Sequence, residues 1–127
     1  MEQPRRSKSR LWSFRYAFSG LWYVLRTQRN AWIHATITLA VILLGVWLGL
    51  ERYDWTIIMI AICFVWLAEI TNTALEAITD LASPEQHPLA RVGKDVGAGA
   101  VLLASITAVV LGLLILIPPL FDKLNIR

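Results

Sequence analysis

Two long stretches without a single charged side chain decide what this chain can become. Residues 96–121 run for 26 positions and residues 30–50 for 21 without Asp, Glu, Lys or Arg. About 20 consecutive apolar residues in a helix span the hydrocarbon core of a bilayer, so both can cross one. A third apolar run, residues 55–68, is 14 residues long before Glu69 interrupts it. It either crosses together with its polar continuation or stays a buried core helix. With 57% hydrophobic and 17% charged residues in a chain of 127, the remainder is too short for a separate soluble catalytic domain. A P-loop or dinucleotide-binding domain of usual size is therefore excluded, and any chemistry must occur at the membrane.

The net charge of +3 conceals an asymmetry. Seven basic residues, from Arg5 to Arg29, precede the first span against Glu2 alone. Such a cluster favours the cytoplasmic face and anionic lipid headgroups, each basic residue near the surface contributing about 1 kcal/mol. Nothing accompanies it that reads as a nucleic-acid recognition fold, so no nucleic-acid partner is expected. Cys63 is a lone cysteine inside an apolar run and reads as packing. The aromatic, Arg-containing start does not read as a cleaved signal peptide.

Residues 1–9 lack periodicity and are expected to form a disordered basic tail. Over 10–29, Leu11, Phe14, Phe18, Leu21, Trp22 and Leu25 recur at helical spacing opposite Arg15, Ser19, Arg26 and Arg29. This predicts an amphipathic helix in the membrane interface. A three-span domain then occupies 30–121. Its first span ends near Leu50, the turn Glu51, Arg52, Tyr53, Asp54 follows, and a second helix runs from Trp55 to about Leu81. A proline-rich loop over 83–88 precedes a third helix starting between Ala90 and Val96, and Pro118 and Pro119 stop it before a short polar tail, 122–127. The fold class expected is thus an all-α membrane protein, a surface helix plus three transmembrane helices. Charge asymmetry places the amino terminus and the second loop in the cytoplasm and the carboxyl terminus outside an inner or plasma membrane. Gly93, Gly97 and Val101, beside Ala100, Ala104 and Ala108, offer small surfaces for helix contact. Three helices enclose little volume, which favours homo-oligomerisation.

The segment from Glu69 to Asp80 carries the chemistry. At 100° per residue, Glu69, Asn72, Glu76 and Asp80 fall on one face within about 80°. A polar stripe at the end of a membrane helix is costly unless it meets water, a metal, a neighbouring chain or a substrate. Carboxylates with an amide suit the holding of Mg²⁺ and the orientation of an alcohol for phosphoryl transfer. Glu69 and Glu76 stand two turns apart, about 10.5 Å along the axis, and so should do different jobs. Arg91, Lys94 and Asp95 open the next helix on the same membrane side.

These residues, with His87, Pro88, Leu89 and Ala90 and the Lys94-Asp95 pair, resemble the small bacterial integral-membrane lipid kinases, the diacylglycerol and undecaprenol kinases. The resemblance extends over nearly the whole chain. It implies a homotrimer of three-span subunits, with active sites between the surface helix and the membrane helices, and ATP and Mg²⁺ as phosphoryl donor and cofactor. By matching positions, Glu69 would be the general base for the lipid hydroxyl, Asn72 would orient that region and Glu76 would hold Mg²⁺. Lys94 and Asp95 would contact ATP, with Tyr16, Glu85 and His87 near the nucleotide and Arg10 on a phosphate, while Asp80 would support the loop. One departure stands out. Members ordinarily carry a metal-binding glutamate where this chain has Gln28, which offers an amide oxygen but no charge. Arg29, Asn30 and His34 resemble the undecaprenol kinase branch, which implies undecaprenol as acceptor and undecaprenyl phosphate as product. The alternatives are diacylglycerol, giving phosphatidic acid, and a catalytically weakened lipid-binding or interaction protein. The one-ended polar stripe argues against a transporter.

Overall fold

The computed structural model describes residues 10–83 and 87–125, and the expectation for residues 1–9 lies outside that range. Four helices follow one another: α1 (Arg10–Thr27), α2 (Arg29–Leu48), α3 (Arg52–Ala82) and α4 (Pro88–Lys123). No strand occurs among the described residues. The helices α2, α3 and α4 are each long and apolar enough to cross a membrane, whereas α1 does not meet those criteria.

At 1.5 Å per residue the 20 residues of α2 match a hydrocarbon core of about 30 Å, while the 31 of α3 and 36 of α4 overshoot it. The excess of α3 is its polar end, and the excess of α4 includes the start that faces it. Both therefore gather at the end of the bundle where α1 joins α2.

Each boundary has a local cause. The chain leaves the helical conformation only at Gln28, φ −100 and ψ 116, so the surface helix is two residues shorter than expected and the first span starts at Arg29. At the far end of α2, Gly49 takes φ 75, a conformation that costs glycine little, and donates its N–H to the carbonyls of Gly45 and Val46. The four polar residues expected as a turn instead open α3. Glu51 is its N-cap, and Asp54 Oδ2 accepts from the Glu51 N–H at 3.3 Å in a capping box, which satisfies helix donors that a turn would leave open.

α4 begins at Pro88, earlier than the sequence suggests. Proline suits a first helical position because no intrahelical partner awaits its missing N–H, and His87 Nδ1 caps the Leu89 N–H at 3.2 Å. Nor do Pro118 and Pro119 stop the helix, which continues to Lys123. The two rings deprive the carbonyls of Leu114 and Ile115 of helical donors, but their fixed φ is compatible with a helix. The terminal turn is anchored elsewhere: Lys123 Nζ donates to the Trp47 carbonyl and lies 5.0 Å from the centre of the Trp47 ring.

The principal contact is between α3 and α4, with α2 against both and α1 against α2 and α3. Buried positions on α3 are Ile58, Ala61, Val65, Glu69, Asn72 and Thr73, a stripe at three- and four-residue spacing. It meets Gly97, Val101 and Ala104 of α4. Small residues let the two backbones approach closely. Only 11% of the apolar window of α2 is buried within the chain, so its surface must be covered by lipid or by other chains.

Candidate active site

Along the polar face of α3 burial falls step by step: Glu69 and Asn72 are buried, Glu76 is half-buried and Asp80 is exposed. The helix thus carries its polar stripe from the interior of the bundle outward. Thr73 Oγ1 turns back to the Glu69 carbonyl at 2.9 Å, which satisfies that hydroxyl within the helix.

Glu76 is the meeting point of two elements. Asn72 Nδ2 donates to its Oε1 at 3.0 Å, and Gln28 Nε2 reaches it from the α1–α2 junction, donating to Oε2 at 3.4 Å. The break at Gln28 permits this: its side chain makes no capping hydrogen bond to α2 and turns to α3 instead. The other end of the Asn72 amide faces α4. A β-carbon at Gly97 would stand 2.3 Å from Asn72 Oδ1, so a glycine at that position is what admits the asparagine.

Glu69 is 1% exposed and lies under α2. Its Oε2 is 3.6 Å from His34 Nε2, and neither atom has a hydrogen-bond partner, a condition shared by Asn72 Oδ1. His34 stands edge-on to Trp66, ring centres 6.3 Å apart, and Trp66 in turn donates to Thr38 Oγ1 at 3.2 Å. The proximity of His34 to Glu69 was not legible in the sequence; the only signal was a polar residue within an uncharged span.

The remaining expected site residues divide into separate contacts. Lys94 Nζ donates to Asp80 Oδ1, tying the start of α4 to the end of α3. Asp95 lies 3.9 Å from Arg91 one turn earlier, with both side chains exposed. His87 is the N-cap of α4. Tyr16 is exposed on α1, its ring 6.4 Å from Trp12. The contact expected of the Arg10 side chain and the whole of Glu85 lie outside the described residues.

Among the described residues no group of three or more His, Cys, Asp and Glu side chains gathers as a metal cage. Mg²⁺ does not require one, because it retains waters and is commonly bound through one or two carboxylates plus substrate phosphates. Glu76 provides one carboxylate, and Gln28, which turns its Nε2 to that carboxylate here, would offer its amide oxygen to such an ion once the amide is reversed; by donor chemistry the pair fits it.

Comparisons with known proteins place the chain in a family. Residues 15–116 match the family described as "Prokaryotic diacylglycerol kinase". The chain is 45% identical over 111 residues to a diacylglycerol kinase of Synechocystis sp., covering 87% of this chain but 63% of that protein, less than two thirds of its length. It is 39% identical over 108 residues to an undecaprenol kinase of Bacillus subtilis, covering 85% of this chain and 88% of that protein. It is 30% identical over 95 residues to a diacylglycerol kinase of Escherichia coli, covering 69% and 78%. Kinases named for each acceptor thus occur among the relatives, so these likenesses do not separate the two branches. What they have in common is the family, and the chain belongs to the prokaryotic diacylglycerol kinase family, which holds kinases of both names.

Proposed function

We propose that this protein transfers the γ-phosphoryl group of ATP to the hydroxyl of a membrane lipid alcohol, with Mg²⁺ as cofactor. The observation that carries this reading is the division of one helical face into a buried carboxylate with an unpartnered oxygen, Glu69, and a second carboxylate, Glu76, held from two elements. Glu69 accepts the proton of the acceptor hydroxyl as general base. Asn72 keeps the two carboxylates in register through its bond to Glu76. Glu76 and Gln28 would hold the metal, whose charge, when bound, draws the phosphate oxygens together and offsets the charge that spreads over them. Lys94 and Asp95 bind the nucleotide after exchanging their partners Asp80 and Arg91, and Tyr16 and His87 serve its phosphates and base; for Arg10 and Glu85 the same role rests on the resemblance alone.

Two signals bear on the acceptor: the identities to kinases named for each lipid, and the residues Arg29, Asn30 and His34. Identity of 45% with a diacylglycerol kinase against 39% with an undecaprenol kinase supports diacylglycerol first. Undecaprenol stands second, supported by those three residues. The site faces the cytoplasm of an inner or plasma membrane, the carboxyl terminus lies outside, and α1 rests its exposed Phe14, Phe18 and Trp22 among anionic headgroups. The assembly is a homotrimer.

The test is ATP-dependent phosphorylation in defined bilayers, offering diacylglycerol and undecaprenol separately. The unchanged chain should phosphorylate diacylglycerol faster, and Glu69→Ala and Glu76→Ala should each abolish turnover. If neither lipid is phosphorylated over a broad Mg²⁺ range, with Gln28→Glu equally inactive, the kinase reading falls. Nucleotide binding without turnover would favour a weakened lipid-binding protein, a reading motivated by Gln28 giving Glu76 a neutral donor where a glutamate would share a cation.

A further inference from the structure

Two buried atoms face each other across α2 and α3 with nothing between them. His34 Nε2 and Glu69 Oε2 are 3.6 Å apart, beyond hydrogen-bond reach, and both are without a partner. The Glu69 side chain is 1% and that of His34 13% exposed, so water does not readily satisfy either. A buried carboxylate facing a buried imidazole nitrogen with no proton between them is an unfavourable arrangement, and one added proton relieves both groups at once. It can reside on oxygen and be donated to nitrogen, or reside on nitrogen and be donated to oxygen.

We propose that His34 is a positioning residue for Glu69, and that the two form a holder for the single proton released by the acceptor hydroxyl. The inference rests on the lipid kinase reading. In the transfer step the lipid oxygen forms its bond to the γ-phosphorus while the bond from that phosphorus to the bridging oxygen breaks, its electron pair leaving with ADP. The O–H bond of the acceptor breaks in the same step. Its proton passes to Glu69 Oε2 and is shared with His34 Nε2, from where it returns to water when the products leave. A carboxylate without this partner would hold the proton unaided in a buried setting; the imidazole disperses it.

The surroundings isolate the pair. α4 faces the cavity beside His34 with Ser105 and Ala108 and supplies no titratable group there. On α3 the next carboxylate is Glu76, whose oxygens are taken by Asn72 and Gln28. Arg29 of α2 and Arg15 and Arg26 of α1 are exposed, and the buried contact of α1 is Val24. The cavity, about 380 Å³ between α2, α3 and α4, is large enough to admit a small imidazole.

Two measurements test the proposal. In bilayer vesicles, His34→Gln, which keeps a polar side chain but cannot take up a proton, should lower kcat by about 10²-fold, leave the KM for ATP unchanged and remove one limb of the pH–rate profile. Added imidazole should restore part of the loss in His34→Ala. Wild-type kcat with an unaltered pH profile in His34→Gln would overturn the proposal. Independently of turnover and of the folding of any His34 variant, nitrogen NMR can follow the rings of the only two histidines, His34 and His87, in the unchanged chain and in Glu69→Gln. The ring-nitrogen signals of His34 should move in Glu69→Gln while those of His87 stay in place; unmoved His34 signals overturn proton sharing. Should the unchanged chain phosphorylate neither lipid, the kinase reading falls by itself, and the ring signals still decide whether the two groups share a proton.

Discussion

Gly97 and Gln28 show how single residues set the state of Glu76. Adding a methyl group at Gly97 places it 2.3 Å from Asn72 Oδ1, against the amide end of a short, buried side chain with little room to move away. Gly97→Ala should therefore displace Asn72 from Glu76, lower the rate of lipid phosphorylation and destabilise the fold by about 1–3 kcal/mol, the usual range for overpacking. Gly93 has open space around its β-position, so Gly93→Ala should be neutral or stabilising by up to about 1 kcal/mol. Thermal unfolding of the two variants in one lipid mixture checks the contrast. The repeat of small residues identifies a contact face, but it does not reveal that one glycine is indispensable and the other open. For Gln28 the neutral amide bonds Glu76 without a cation. Gln28→Glu should set two carboxylates against each other, lower stability in the absence of Mg²⁺ and lower the half-saturating Mg²⁺ concentration about tenfold, equivalent to about 1.4 kcal/mol. A titration of activity at saturating ATP, with unfolding measured with and without Mg²⁺, would show no difference from the unchanged chain if Gln28 were merely a surface residue.

Among the elements, the joints between helices carry the information. Asp80 and Lys94 link the end of α3 to the start of α4 as a partly exposed ion pair. Exposed pairs contribute roughly 0–1 kcal/mol, so Asp80→Asn should hardly change the unfolding temperature. It should, however, release Lys94 and lower the KM for ATP, whereas Lys94→Met should raise it; equal KM values in both variants would remove Lys94 from the nucleotide site. At the opposite end Lys123 joins α4 to α2 through the Trp47 carbonyl and ring. Lys123→Met should cost roughly 0.5–1 kcal/mol in thermal unfolding while leaving kcat unchanged, because the contact is remote from Glu69 and Glu76. This second joint explains why proline rules misplace the end of α4. They account for hydrogen bonds within a helix and not for an anchor on a neighbouring one. The beginnings of α3 and α4 were hidden for a related reason. Glu51 with Asp54, and His87 with Pro88, read as polar or breaking residues when taken singly and become caps only in the geometry of a helix start.

For the whole molecule, the amount of apolar surface left uncovered is the dominant fact. Leu43, Phe64, Leu102 and Leu114 are all more than half exposed within a single chain. Lipid tails can cover such side chains, and so can further copies, which supports the proposal of a homo-oligomer; the number three comes from the resemblance to the membrane lipid kinases. Crosslinking in native membranes should saturate at three subunits; saturation at one or two under conditions that preserve turnover would exclude it. The number, order and approximate length of the helices were determined by the sequence alone, because charge is costly in hydrocarbon and uncharged runs announce themselves. The common face of Glu69, Asn72 and Glu76 was determined in the same way, since helical phase is a property of spacing within one segment. Only the tertiary structure decided that Glu69 is the most deeply buried of them, that His34 is its neighbour and that Gln28 reaches Glu76 across 48 positions of chain. Those pairings depend on the rotation and depth of one helix against another, which follow from how the side chains of both fit together and leave no periodic trace in either segment.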